Sequence, residues 1–162
     1  LRYFMISSKS ETPMDFDIEK IIEKNKDNPV FYCQYAYART CSVIRKAKNY
    51  SNFKNFEESV NLFDQKTVSS YEWEIILKLL FWPYVLEQAA INKQPHRITN
   101  YLEDLCSNFH SFWNKGKEES NLRMIDESNI TKTITKLIWL SFFKSTLNQI
   151  FSIIGIDSPE TM

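Results

Sequence analysis

Glycine is almost absent from this chain: two in 162 residues, alongside five prolines. So few breakers argue against a turn-rich all-β fold and leave nothing from which to build a glycine-rich phosphate loop. They point to long helices joined by polar connections. Cysteine is scarce as well. Cys33, Cys41 and Cys106 are an odd set with no C-x-x-C pair, which fits reduced thiols better than a disulfide framework or a zinc site. Excess charge is missing, since 20 basic residues meet 20 acidic ones. Any nucleic-acid footprint must then be local. A clean run of ~20 apolar residues, as a membrane span requires, is also lacking. The most apolar stretch, residues 137–156, is broken by Lys144, Asn148 and Gln149 and reads as a buried core helix. Nothing resembles a signal peptide.

What the sequence holds is apolar and aromatic mass. Hydrophobic residues make up 43% and aromatics 15%, enough for a chain of this length to bury a core. Residues 1–162 read as one domain, an all-α helical bundle of about five or six helices with mostly short connections. Leu1-Arg2-Tyr3-Phe4-Met5 looks like the middle of a helix and has no initiator methionine, so a piece of a longer protein is expected.

Local signals place the helices. Residues 1–8 read as a helix end, 10–17 as a loop anchored by Phe16, and 18–26 as a short charged helix. Asn28-Pro29 marks the next start, because proline in a first turn gives up an N–H that has no helical partner there. That helix runs to about Lys48. Residues 49–68 read as a polar connector with one weak helical segment. Ser69-Ser70-Tyr71-Glu72 has capping-box spacing. The helix it opens sets Trp73, Ile76, Leu77, Leu80 and Phe81 on one face, and Pro83 is expected to kink or interrupt it. Pro95 opens a helix with the clearest stripe in the chain, Ile98, Tyr101, Leu102, Leu105, Cys106, Phe109, Phe112 and Trp113. Residues 116–129 read as linker with a turn around 122–125. Ser128 or Asn129 caps a last helix that is apolar nearly all round and therefore central. Gly155 is placed as its left-handed stop.

Residues 31–39, Phe-Tyr-Cys-Gln-Tyr-Ala-Tyr-Ala-Arg, carry the most information. At about 100° per residue, Tyr32, Tyr35, Arg39 and Lys46 share one helix face. Val30, Cys33, Tyr37 and Ile44 fall on the other. Two phenols and two cations in a row can stack on bases and pair with phosphates. The same spacing is as compatible with tyrosines packed between helices and cations on a solvated face. His96 and His110 read as structural histidines, the cysteines as small core residues, and Trp73, Trp82, Trp113 and Trp139 as core or near-core. There is no Ser/His/Asp order and no metal-ligand cluster, so no active site confined to these residues is expected.

Several stretches together resemble the anticodon-binding domain of arginyl-tRNA synthetases. They are residues 31–39 with Cys-Ser-Val-Ile-Arg-Lys-Ala at 41–47, the run from Pro95 through Phe112, and the closing residues 155–162. Leu1-Arg2 resembles the end of an Asp-Ala-Leu-Arg signature, and Asp15-Phe16-Asp17 and Asp27-Asn28-Pro29-Val30 match too. The resemblance implies a class I synthetase with its Rossmann catalytic domain upstream, where ATP and magnesium would act; no cofactor is expected in this part. It implies an arginine-accepting tRNA as partner, with the central anticodon cytosine as the main base read. By position it assigns Tyr32, Tyr35 and Arg39 to the helix facing the anticodon loop. Ala36 matches a small residue that lets a nucleotide approach, and Met162 a terminal methionine near the loop. Arg39, Arg45, Lys46 and Lys48 would balance phosphate charge. Tyr37 stands where the family usually has His, and Thr161 where it commonly has Arg. A monomeric cytoplasmic protein without membrane contact is expected. A helical protein-interaction module without RNA binding is the alternative, prompted by the neutral charge, and a self-contained enzyme ranks last.

Overall fold

The computed structural model describes residues 1–9, 11–13, 17–25 and 27–162, Lys20 by its backbone only. The Phe16 anchor lies outside the described residues. Six α-helices appear among those described: α1 (Arg2–Ser7), α2 (Ile18–Ile22), α3 (Pro29–Ala47), α4 (Ser70–Ile91), α5 (His96–Glu118) and α6 (Ile130–Ile154). Short 3₁₀ turns cover Phe56–Glu58, Val60–Leu62, Gln65–Thr67 and Ser120–Leu122, and no strand is present among the described residues. The all-α reading of the sequence is therefore correct.

Helix starts and stops follow the local chemistry. Asn28 serves two helices at once. Its Oδ1 accepts from the N–H groups of Val30 and Phe31 at the head of α3. Its Nδ2 donates to the carbonyls of Ile21 and Glu23 at the end of α2. The expected helix over 18–26 is shorter than the sequence suggests, and α2 closes at Ile22. The capping box at α4 forms as expected, with Glu72 accepting from the Ser69 N–H at 2.9 Å. Asn129, not Ser128, caps α6 by accepting from the Lys132 N–H. Gly155 ends α6 at φ 69°, ψ 44°, where a side chain would be strained.

Four expectations about the middle of the chain need correction. Within residues 49–68 three successive 3₁₀ turns span 56–67 in place of one weak helix, and buried Phe53 and Phe56 hold the segment to the bundle. The Asp64 N–H donating to Thr135 Oγ1 adds a second tie. The 116–129 segment is shorter than expected, because α5 continues to Glu118 and the turn lies at Ser120–Leu122. Finally, α4 buries Glu72, Ile75, Trp82 and Ala89, while Leu77, Leu80 and Phe81 are exposed. This helix is apolar on nearly all sides, so its periodicity could not say which side faces inward. Pro83 does not interrupt it; α4 is continuous from Ser70 to Ile91, with Pro83 on the exposed side.

The central element is α6. It packs against α3, α4 and α5 and against the 3₁₀ turns of the connector. Leu137, Leu140, Phe143, Leu147, Ile150 and Phe151 are fully buried. Phe109 of α5 stacks on Phe143 at 4.6 Å, and Trp82 donates to Gln149 at 2.7 Å across to α4. By length and composition α6 could cross a membrane, but half of its most apolar window is buried inside this bundle, as a core helix requires. The three cysteines are buried and free. Trp82 and Trp139 are core; Trp73 and Trp113 are half-buried.

Candidate nucleic-acid interface

Arg39, near the middle of α3, is held by neutral groups. Its Nη2 donates to Tyr35 Oη at 2.8 Å, one turn earlier on the same helix. Its Cζ lies 4.3 Å from the Tyr35 ring centroid and 4.6 Å from that of Trp113 on α5. Cation–π contact on two rings holds the guanidinium flat. Nη1 lies 3.3 Å from His110 Nδ1. Among the described residues no carboxylate pairs with Arg39. Its charge is oriented and left free for an anion.

The arginine fixes the histidine's tautomer. A guanidinium only donates, so Nδ1 of His110 must accept. The proton then sits on Nε2, which donates to the Tyr32 carbonyl at 3.1 Å. The imidazole packs on Tyr32, with centroids 4.3 Å apart, and on Tyr35 at 6.0 Å. Burial pushes its pKa below the usual 6.5; the bond to Tyr32 opposes this in part, and the neighbouring Arg39 cation adds a smaller downward push. His110 is therefore a neutral brace.

The C-terminal tail closes the site. Beyond the left-handed turn at Gly155 the chain runs back along α3. Gln34 donates to the Asp157 carbonyl at 3.0 Å, and Arg45 reaches the Glu160 carbonyl at 3.4 Å. Lys144 pairs with the Glu160 carboxylate at 3.0 Å. This delivers Met162, half exposed, to a groove of about 330 Å³ walled by Tyr35, Arg39, Arg45, Trp113, Thr161 and the Lys144-paired Glu160.

The sequence-derived residues do not all meet there. Tyr35, Arg39 and Met162 converge. Tyr32 opens instead into a separate cleft of about 580 Å³ lined by Asp27, Glu103 and Asp104, and those carboxylates would repel a phosphate. Ala36 is fully buried, and its carbonyl accepts from Thr40. It faces the core and presents no surface for a nucleotide to approach. Lys46 is exposed but lines the next groove along the helix. Lys48 is paired with Glu57 at 3.0 Å. Tyr37 is buried against Phe151, on the inward side as expected.

Two residues of the site escaped the sequence reading in this role. Trp113 reads as the last member of the α5 stripe, yet it is only partly buried and lines the groove. His110 follows a core phenylalanine and carries no local mark of its contact with Arg39, 71 positions away.

The sequence and the fold have counterparts among known proteins. A family model described as the DALR anticodon binding domain matches residues 33–162. The chain belongs to this family. As a DALR domain it is similar over its whole length to the arginine–tRNA ligase of Bartonella bacilliformis, with 40% identity. It spans 28% of that relative's length. An arginyl-tRNA synthetase structure from Campylobacter jejuni superposes with a TM-score of 0.79 at 25% identity, covering 99% of this chain and 32% of that one. The Thermus thermophilus arginyl-tRNA synthetase shares the fold, with a TM-score of 0.72 at 22% identity, covering 99% and 26% respectively.

Proposed function

We propose that this DALR domain holds the anticodon stem and loop of an arginine-accepting tRNA, as one part of an arginine–tRNA ligase. The observation that carries the reading is the Arg39 guanidinium, clamped between Tyr35 and Trp113 with no carboxylate paired to it among the described residues, at the edge of a groove closed by Met162. Anticodon bases splay out of a single-stranded loop and stack on such rings. Each stacked base contributes about 1–3 kcal/mol, largely independent of its identity. Arg39 and Arg45 supply the positive charge for the phosphates. Discrimination of the central cytosine requires hydrogen bonds to its pairing edge. Tyr35, Arg39, Trp113 and Met162 form this surface, and Tyr32 holds its brace His110.

Attachment of arginine to tRNA, with ATP and magnesium, belongs to the rest of such a ligase. The His-Ile-Gly-His and Lys-Met-Ser-Lys elements of class I synthetases do not occur in these residues. A monomeric cytoplasmic ligase is the setting that this reading supplies.

The test uses the full-length protein that carries this domain. Tyr35→Ala is expected to weaken binding of the arginine-accepting tRNA and to leave ATP and arginine binding unchanged. Changing the central anticodon base should weaken binding to the wild-type protein. Affinity indifferent both to that base and to Tyr35 would leave the helical interaction module as the better account.

A further inference from the structure

A second basic groove begins where the first ends, and Trp113 forms part of both. It is a depression of about 280 Å³ between α3, α5 and the turn at Ser120–Leu122, edged by Lys46, Lys117 and Arg123. Its floor is the buried Phe112, Leu122 and Met124. Among the described residues none of the three cations is in an ion pair.

Two features fix the shape of this groove. Gly116 lets the Leu122 backbone approach closely: a Cβ there would stand 3.1 Å from the Leu122 carbonyl oxygen. Lys136, 1% exposed in the second turn of α6, donates to the Asn121 carbonyl at 3.2 Å and the Arg123 carbonyl at 2.6 Å. Burying a lysine is costly, and here it clamps the segment that carries Arg123.

Charge then gives the surface a direction. Beyond Tyr32, on one side of the Tyr35–Arg39 groove, lie Asp27, Glu103 and Asp104, with Lys78 on Asp104 as partial compensation. On the other side lie Lys46, Lys117 and Arg123. A polyanion seated on Arg39 is repelled by the first group and attracted by the second. We infer that the RNA strand leaving the Tyr35–Arg39 groove crosses Trp113 and lays its phosphates along Lys46, Lys117 and Arg123. This rests on the anticodon-binding reading above.

Salt-dependent tRNA binding to the full-length protein tests it. For single-stranded RNA each lost phosphate contact lowers the log–log salt slope by about 0.7. The double variant Lys117→Ala, Arg123→Ala should therefore show a shallower slope by about two such steps. That amounts to roughly five-fold per contact in affinity between 1 M and 0.1 M salt. The loss should be the same for tRNAs with the correct and the changed central anticodon base. Arg123→Lys should keep the slope, and it remains informative if the double variant is misfolded by circular dichroism. An unchanged slope in the double variant, with Tyr35→Ala still weakening binding, overturns the phosphate track and leaves the anticodon reading standing. Loss of an acidic protein partner with RNA affinity untouched overturns it too. If Tyr35→Ala has no effect either, both readings fall together.

Discussion

Arg39 is braced by the imidazole of His110, Nη1 to Nδ1 at 3.3 Å, and, among the described residues, not by a carboxylate. The difference matters electrostatically. A carboxylate would hold the guanidinium more tightly but would cancel its charge before any anion arrived. A neutral imidazole and two aromatic faces hold it flat with the charge intact. The brace passes through His110 to the Tyr32 carbonyl, so the side chain is referenced to the α3 backbone.

Arg39→Lys keeps the charge but lacks a planar fork to lie between Tyr35 and Trp113. Two cation–π contacts of about 0.5–1 kcal/mol each are lost or weakened. The expected result is a tRNA affinity lowered about tenfold by fluorescence anisotropy, close to that of Arg39→Ala. A lysine variant with wild-type affinity would show that charge alone suffices.

His110 makes stability fall in mild acid. Its pKa is depressed in the folded state, so the group is neutral in both states above the ordinary 6.5. As pH drops through that value, the unfolded chain takes up a proton that the folded chain resists, and stability declines until the lower folded pKa is reached. Thermal unfolding should record this, and His110→Asn should remove that part of the slope. An NMR titration of the His110 ring should give a midpoint below 6.5; a midpoint above it contradicts the neutral brace.

Asn28 is expected to be worth more than an ordinary cap, because its amide serves α2 and α3 together. Asn28→Ala should cost about 2 kcal/mol, the upper end for a helix cap. Asn28→Asp keeps the acceptor for α3 and loses the donors to α2, so urea unfolding should place it between the two. Equal losses for both variants would assign the whole effect to the donors.

Lys136 acts at the other end of the pH scale. Desolvation pushes its pKa down from 10.5 to about 8. Above that value the unfolded chain still carries the proton that the folded chain has released, so stability rises with pH between about 8 and 10.5. Tyr3 and Tyr101, whose pKa values are raised by burial, oppose this only as the unfolded tyrosines ionise near 10. Melting temperatures between about pH 7 and about pH 9 should therefore climb in the wild type and stay flatter in Lys136→Met. Matching profiles would mean that Lys136 remains charged at no cost.

Gly155→Ala should cost about 1–2 kcal/mol, since an L-residue is strained at φ 69°. The added Cβ also meets the Arg2 guanidinium, a flexible group that can move aside. A larger effect on tRNA binding than on melting temperature is expected, because this turn aims the tail that carries Met162. A variant as stable as wild type would show that the turn is unstrained.

Much of this molecule could be read along the chain. The Asn28-Pro29 start, the capping box at Ser69 and Glu72, the stop at Gly155 and the stripe of α5 each rest on atoms within a turn or two of one another. The local sequence therefore suffices to specify them, and the stripe works because α5 has one wet face. On α4 the same method failed, since Leu77, Leu80 and Phe81 are as apolar as the buried Ile75 and Trp82 and only neighbouring helices choose between them.

The sequence by itself determined the helices, their caps and the aromatic and basic character of the 31–39 face. Tertiary structure decided which of those residues act together. It turned Ala36 into the core, set Tyr32 beside carboxylates, and brought His110, Trp113 and the C-terminal tail to Arg39. Helix periodicity assigns a residue to a face, but what stands opposite that face depends on the packing of helices distant in sequence. Charge and stacking act through space, so the site exists only once α3, α5 and the end of α6 are packed together.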